Sequence, residues 1–203
     1  STQAKTLFPY TTLFRSHGGE ILSTLETETA EILERVKRGT RSFERGAAAA
    51  IERGHYRMIP NRTNEHPYLL RIWLSPMLMM DDGRPESGSS ILLHHIIRAD
   101  DDGALHDHPW DFTTTILSGG YRETLPRYMS HKCGLGDGPK EFRHANWWIG
   151  NHLDRSAESL HLIEHVEPDT WTLVYTGPRY REWGFHPAGK PWQSWREYLG
   201  ATA

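Results

Sequence analysis

The sequence predicts an all-β fold, a sandwich or barrel, preceded by a helical N-terminal segment. From residue 68 onward, short runs rich in β-branched and aromatic residues recur along the chain. Turns rich in Gly, Pro and Asp separate these runs, and many short strands at close spacing are typical of β-sandwiches and barrels. Before residue 55, apolar residues instead recur every three or four positions, as in amphipathic helices.

The first sixteen residues are set apart from this fold. Residues 6–16 read TLFPYTTLFRS, which matches the in-frame translation of a common sequencing adapter. A match of this length is rare by chance, so we interpret residues 1–16 as an artefact of read assembly and expect them to be disordered. The alternative is a genuine disordered N-terminus. In both cases the segment is left out of the fold prediction.

Residues 17–60 form the predicted helical segment. Leu25 and Ile32 belong to an apolar series with acidic residues between its members, and Gly39 is a predicted helix end. A shorter helix is predicted over residues 47–53. No pattern in this segment indicates chemistry, and we expect it to pack on a sheet or on a second subunit.

Residues 61–203 form the predicted β domain. We expect loops over residues 81–90 and 130–140, which are rich in turn-forming residues. Residues 192–199 are interpreted as a final strand or a short helix. The predicted strands cover residues 68–74, 91–98, 112–117, 146–149, 160–166, 170–175 and 182–185.

Composition excludes several classes of function. With 23 basic and 26 acidic residues, the chain has a net charge of −3 and lacks the basic excess that nucleic-acid binding requires. No apolar run approaches the ~20 residues that span a bilayer. A lone cysteine, Cys133, excludes an intrachain disulfide and fits a reducing, cytoplasmic compartment. The 13 histidines, ten of them after residue 90, are the notable excess, since histidine is a common metal ligand.

Two of these histidines lie at chelating spacing. His106 and His108 stand in the stretch LHDHPWDFTTTILSGG, and alternate residues of a strand point to the same face. Both imidazoles are therefore predicted to face one side. Gly119 and Gly120 are predicted to form a hairpin turn after the following strand. His94 and His95 are adjacent, so they face opposite ways and one of them could point inward.

This stretch resembles the first motif of the cupin superfamily. The resemblance rests on His106-x-His108, followed after ten residues by Gly119. The family motif usually carries a glutamate four positions after the second histidine, where this chain has Phe112. A second cupin motif supplies a further histidine from a later strand, and His161 in SLHLIEHV is the best match.

The resemblance covers about residues 68–199, and HDHPWDF and TGPRYREWGF are similar to a group of small cupins of unassigned chemistry from bacteria and phages. It implies a cupin-like double-stranded β-helix, or jelly-roll barrel, with a metal at its centre. It also implies a small-molecule substrate. Cupins are often dimers, so a homodimer is a further expectation.

Three neutral imidazoles would form a facial ligand set and leave positions open for water, substrate or dioxygen. The expected ligands are His106, His108 and His161. Iron(II) is the preferred metal, and zinc, manganese and nickel also accept such ligands. Without a carboxylate the metal keeps its full charge, which favours an anionic substrate. The alternative for each histidine is an ordinary hydrogen-bonded core or surface residue.

Asp111 is a further candidate ligand. By alternation it points away from the histidine face unless a bulge at Pro109 redirects it, and it could instead orient an imidazole by hydrogen bonding. His165 shares the predicted strand face of His161 and is a weaker candidate.

The remaining catalytic candidates are Tyr121, Glu123 and Arg181. Tyr121 and Glu123 follow the Gly119–Gly120 turn and are expected to line the same cavity. Arg181 shares a face with Arg179 if the run is extended, and a guanidinium near the barrel mouth could anchor an acid substrate. The alternative for these arginines is a surface ion pair or packing against tryptophan.

The predicted function is metal-dependent chemistry on a small molecule at the barrel centre, with an iron(II)-dependent dioxygenase preferred. A sugar or acid isomerase or epimerase, in which the metal acts as a Lewis acid, is the second possibility. A cupin that only binds a ligand, or a structural cupin, is the third.

Overall fold

The computed structural model describes residues 19–75, 88–127 and 141–200. The adapter-like residues 1–16, the predicted loop 130–140 and most of the predicted loop 81–90 lie outside them. The elements in chain order are α1 (Gly19–Lys37), α2 (Ser42–Glu52), β1 (Tyr56–Pro60), β2 (Pro67–Trp73), β3 (Ser90–Ile96), β4 (Leu105–His106), β5 (Phe112–Ser118), β6 (Gly120–Pro126), β7 (Phe142–Trp148), β8 (His152–Arg155), β9 (Leu162–Val166), β10 (Thr170–Thr176), β11 (Gly184–His186), β12 (Gln193–Ser194) and α3 (Trp195–Leu199).

The strands form two layers, and every strand pair in the described chain is antiparallel. The first layer is one sheet in the order β1-β2-β3-β10-β5-β8. The second consists of the sheets β12-β11-β4 and β7-β6-β9, which a β-bridge between His106 and His161 joins at β4 and β9. This arrangement confirms the predicted all-β class.

The eight strands β3 to β10 have jelly-roll order. β3-β10-β5-β8 lie in the first layer, and β4-β9-β6-β7 lie in the second. The chain therefore passes from layer to layer along most of its length, as it does in a double Greek key. This strand order identifies the β domain as a jelly roll.

The core between the layers is built from alternate residues of both. The two layers face each other across this core, because its buried residues come from strands of both layers. These residues are Leu69, Ile96, Ile116, Tyr121, Leu153 and Ile163.

The two N-terminal helices cover the outer face of the first layer. Ile32 and Val36 of α1 and Ile51 of α2 pack with Leu70 and Trp171, so this sheet is buried on both faces. The helical part ends at Glu52, earlier than the predicted residue 60, because β1 already belongs to the sheet. None of the described helices is both long and apolar enough to cross a bilayer.

The predicted hairpin at Gly119 is wrong. β5 pairs with β10 and β8 in the first layer, whereas β6 pairs with β7 and β9 in the second. Gly119 marks the crossing between the layers, with a φ of 64°. A Cβ there would lie 2.5 Å from Oγ1 of Thr170, so glycine meets both a conformational and a steric requirement.

At the C-terminus, residues 192–199 contain both predicted alternatives. β12 is followed directly by α3, whose first turn is capped by Ser194 accepting a hydrogen bond from the amide of Glu197. Gly200 ends α3 in the left-handed conformation, with a φ of 65°.

Candidate metal centre

Three histidines from two segments of the chain converge between the layers. The Nε2 atoms of His108 and His161 lie 2.8 Å apart. One ligand atom from each of His106, His108 and His161 lies within 4.8 Å of the other two. In the described chain this is the one group of three or more potential ligands that meets this criterion.

Main-chain pairing fixes two of these residues relative to each other. The amide of His106 donates to the carbonyl of His161 at 2.9 Å, and the amide of His161 donates to the carbonyl of His106 at 3.1 Å. Because the residues are direct cross-strand partners, their side chains leave the sheet side by side.

His108 lies in an irregular segment rather than in a strand, since β4 ends at His106. Its amide donates to the carbonyl of Ala157 at 2.9 Å. Between the two histidines, Asp107 accepts hydrogen bonds from the amide of Gly184 at 2.6 Å and from Nε1 of Trp192 at 3.1 Å. His106 and His108 therefore converge although only His106 lies in a strand.

Burial keeps two of the imidazoles in the form that binds metals. It lowers the pKa of His106 to about 4, and the nearby His161 contributes in the same direction. Burial, followed by the charges of His161 and His106, also lowers the pKa of His108. Both rings are therefore neutral at pH 7, and a neutral imidazole offers the lone pair that a metal needs.

Glu123 orients the ring of His161. Its Oε2 lies 2.9 Å from Nδ1 of His161, and the carboxylate also accepts hydrogen bonds from Nε1 of Trp147, at 2.5 Å, and from Arg155. Burial alone would raise the pKa of Glu123, but these partners outweigh burial and lower it. An ionised Glu123 accepts a hydrogen bond from Nδ1–H of His161. This fixes the tautomer whose Nε2 carries the lone pair that can coordinate a metal.

The corresponding contact at His106 is longer. Its Nδ1 lies 3.8 Å from Oδ2 of Asp100 and has no hydrogen-bond partner among the described residues. Asp100 is itself held by the amide of Ile163, at 2.7 Å, and by the hydroxyl of Tyr68. The carboxylate therefore stands beside His106 without orienting it as Glu123 orients His161.

An aromatic ring occupies the position where the cupin motif usually has its glutamate. The ring centroid of Phe112 lies 4.6 Å from that of His108 and 6.4 Å from that of His161. This side of the centre is consequently apolar, and the donor set consists of nitrogen atoms alone.

Asp111 and His165, the additional ligand candidates, lie outside the histidine group. Asp111 accepts hydrogen bonds from the amide of Ala157, at 2.7 Å, and from the hydroxyl of Tyr180, at 2.8 Å. His165 is exposed and contacts Glu167 at 3.2 Å. A register shift in the β6–β9 pairing interrupts simple alternation, so His165 does not share the face of His161.

The other two catalytic candidates, Arg181 and Tyr121, are not among the three converging residues. Arg181 bonds Asp107 at 2.9 Å and the carbonyl oxygens of His108 and Ala157 at 3.1 and 3.0 Å. These bonds hold the segment that carries His108 in place. Tyr121 is buried in the core between the layers, and burial raises the pKa of its hydroxyl.

The sequence predicts that Glu123 points into the interior, but it does not predict which residues Glu123 contacts there. In the run GYRETLP, alternation puts Tyr121, Glu123 and Leu125 on one face, and a lone acid on an apolar face indicates a buried partner. The contributions of Arg155 and Trp147 have no such local signal.

Comparisons with known proteins find similarity only at the level of structure. No protein-family model and no curated protein match this chain. The matched structures include KdgF from Halomonas sp., at 14% identity over 62% of this chain and 88% of that chain, with a TM-score of 0.38. DMSP lyase DddQ from Ruegeria pomeroyi DSS-3 matches at 11% identity over 71% and 70%, with a TM-score of 0.45.

An RmlC-like cupin protein from Desulfovibrio desulfuricans matches at 13% identity over 55% of this chain and 83% of that chain, with a TM-score of 0.34. The matched structures thus include a member of the superfamily that the HxH motif resembles. The jelly-roll assignment of the β domain rests on its strand order.

Proposed function

We propose that this chain is a metal-dependent cupin that acts on a small molecule between its two sheets. The observation that carries the proposal is the convergence of His106, His108 and His161, with two Nε2 atoms 2.8 Å apart. Three largely buried nitrogen donors from two segments of the chain are the kind of arrangement by which proteins hold a divalent transition metal.

The spacing of these nitrogen atoms suits one ion. Metal–imidazole bonds are about 2.1 Å long, so two ligands at a right angle lie about 3 Å apart. The separation of 2.8 Å between Nε2 of His108 and Nε2 of His161 is close to that value. A hydrogen bond between two neutral imidazoles also has this length, and metal analysis separates the two explanations.

Among the reactions open to such a centre, we propose an iron(II)-dependent oxygenation. A bound iron(II) would supply one-electron chemistry with dioxygen and an open position for the substrate. Glu123 would keep the ring of His161 oriented, and Phe112 would keep water from one side of the centre.

The contacts of Glu123 and the protonation state of Tyr121 favour oxygenation over isomerisation or epimerisation. Isomerisation or epimerisation by proton abstraction needs a base at the substrate, but the carboxylate of Glu123 is taken up by His161, Trp147 and Arg155. Burial raises the pKa of Tyr121, so its hydroxyl stays protonated at neutral pH and does not supply a base.

Metal analysis followed by oxygen uptake tests the proposal. Protein purified without added metal, then reconstituted anaerobically with iron(II), should hold about one ion per chain, since one group of three ligands is described. Oxygen consumption is then followed with a panel of small acids, with and without 2-oxoglutarate. A bound metal without oxygen uptake would reject the oxygenase and leave isomerisation or ligand binding. Absence of a bound metal would reject the centre itself.

A further inference from the structure

A row of nitrogen-bearing side chains, two arginines and a histidine, crosses the inner face of the first layer. The strand registers place Arg57 opposite Arg71, and Arg71 opposite His94. Leu69 shares the strand face of Arg71, and Ile96 shares that of His94, and both belong to the core between the layers. Arg71 and His94 therefore point toward the interior that holds the three histidines.

His94 fixes the direction of the guanidinium. Nε of Arg71 donates a hydrogen bond to Nε2 of His94 at 3.2 Å. Burial, followed by the charge of Arg71, lowers the pKa of His94, so His94 is a neutral acceptor at pH 7. This bond occupies Nε, and within residues 19–75, 88–127 and 141–200 the two terminal amino groups of Arg71 have no hydrogen-bond partner, so they can bind a ligand.

No carboxylate in the described part of the chain balances the charge of Arg71. Burial, followed by the charge of Arg57, lowers the pKa of Arg71 to about 10, which still leaves it protonated. Arg41 shows the opposite behaviour, because its ion pairs with Glu44 and Asp169 raise its pKa.

Placing Arg71, which has no balancing carboxylate in the described chain, opposite Arg57 lowers the stability of the folded protein. Like charges directly opposite each other on a sheet are destabilising, and so is a desolvated charge without a counter-ion. On the far side of His94, Thr172 is its cross-strand partner, and the buried Oγ1 of Thr172 has no hydrogen-bond partner among the described residues. A buried charge without a counter-ion and a buried hydroxyl without a hydrogen-bond partner, as found within the described residues, are expected where a ligand binds.

The row faces the metal centre. After burial and the charges of His161 and His106, the charge of Arg71 contributes to lowering the pKa of His108, which places the guanidinium near that ring. Arg181, the arginine that the sequence offered as a substrate anchor, is instead engaged by Asp107 and two carbonyl oxygens.

We propose that Arg71, held by His94, binds a carboxylate group of the substrate, so that the substrate of this site is a small carboxylic acid. The inference rests on the proposed function, since the other end of the acid would face the three histidines. A guanidinium with two free amino groups matches a planar carboxylate with two parallel hydrogen bonds. Arg71 is a binding residue in this account, and His94 is a positioning residue.

Calorimetry with defined anions tests the proposal. Acetate, malonate and succinate are titrated into metal-free and Zn(II)-loaded protein, with malonamide as the uncharged counterpart of malonate and inorganic phosphate as a competing anion. We expect at least one carboxylate to bind and malonamide not to bind. Arg71→Met should weaken that binding by about 10- to 100-fold. Arg143→Met, which removes an exposed arginine on β7, should leave it unchanged.

Arg71→Lys covers the case in which Arg71→Met does not fold, and circular dichroism shows which variants fold. Lysine keeps the charge but loses the planar fork, so carboxylate binding should still fall. Unchanged binding in the folded Arg71 variants overturns the proposal, as does the absence of binding by all three carboxylates. Tighter Arg71-dependent binding of phosphate would overturn the carboxylate assignment. Arg71-dependent carboxylate binding by a protein that takes up no metal would leave this inference standing while the proposed function fails.

Discussion

His106 and His161 exchange both of their main-chain hydrogen bonds, at 2.9 and 3.1 Å, and so join the two halves of the second layer. The bridge is isolated, because neither β4 nor β9 continues the pairing. The candidate metal centre therefore lies where β11-β4 meets β9-β6, so the two sheets of the second layer join at the same point at which the ligands converge.

Removal of either bridged imidazole should abolish metal binding. In His106→Ala or His161→Ala the main-chain bridge can persist, but two ligands remain where three are needed. We expect the affinity for Zn(II) to fall by more than about 100-fold, beyond the loss typical of residues that only orient a ligand. Competition with a chelator measures it. His165→Ala is the matched control, because this histidine lies on β9 but is exposed and contacts Glu167. Equal losses in His106→Ala and His165→Ala would contradict the ligand assignment.

Glu123→Gln should weaken metal binding without removing a ligand. Glutamine can still accept a hydrogen bond from Nδ1 of His161, but the negative charge that strengthens this bond is lost. We expect an affinity about 10- to 100-fold lower. The variant should also lose about 3 kcal/mol of stability, because Arg155 keeps its charge in a buried place without its partner. Calorimetry and urea denaturation measure the two effects.

Glu164→Gln is the control for this variant. Glu164 contacts Nδ1 of His144 at 3.0 Å, close to the Glu123–His161 distance, but the side chain of His144 is 61% exposed. Its loss should leave metal affinity unchanged and cost less than about 1 kcal/mol of stability. Similar effects of the two substitutions on metal affinity would show that Glu123 has no special role at the centre.

The alternation of apolar and polar residues predicts much of this fold, because it shows which face of each strand is buried. The run TWTLVY alternates between residues that face the helices, such as Trp171, and residues that face the interior, such as Val174, and it forms β10 as predicted. The HxH spacing likewise predicts two imidazoles on one side, because the intervening Asp107 points into a separate network.

Pairings between distant segments could not be predicted in the same way. The Gly119 turn looks like a hairpin because the strands on both sides are consecutive, yet their partners lie far along the chain. The register shift that separates His165 from His161 depends on how β9 meets β6, and no local signal reveals it. The contacts of Glu123 with Arg155 and Trp147 also require the two layers to be assembled.

Gly119→Ala should destabilise the jelly roll at its layer crossing. The φ of 64° costs an alanine about 1–2 kcal/mol. A Cβ would also lie 2.5 Å from Oγ1 and 2.9 Å from Cα of Thr170, so the main chain itself must shift. We expect a total loss of more than about 2 kcal/mol in urea denaturation.

Gly150→Ala separates the two causes. Gly150 has a φ of 86°, and a Cβ there meets no atom within 4 Å. This variant should lose only the conformational cost, about 1–2 kcal/mol. Equal losses at the two glycines would mean that the close approach of Thr170 to Gly119 contributes nothing.

Stability should fall in acid partly because of His95, which lies outside the metal centre. Its ring stacks on Trp171 with centroids 4.5 Å apart, and Nδ1 finds no partner among the described residues. Burial, followed by the charge of Arg35, lowers its pKa to about 4, against about 6.5 in an unfolded chain. Between these values the folded protein binds fewer protons than the unfolded one, so stability rises with pH across this window. His95 should therefore contribute stability that is present above pH ~6.5 and is lost as the pH falls toward 4.

His95→Phe isolates this contribution because phenylalanine can keep the stack on Trp171 and does not titrate. The other buried histidines remain in the variant, so its stability should still fall in acid, but by about 2 kcal/mol less than that of the parent between pH 6.5 and 4. Urea midpoints across this range, measured on metal-free protein, give the difference. His165→Phe removes an exposed histidine and should leave the pH dependence unchanged. A parallel pH dependence for His95→Phe and the parent would mean that His95 is not held neutral by its burial against Trp171.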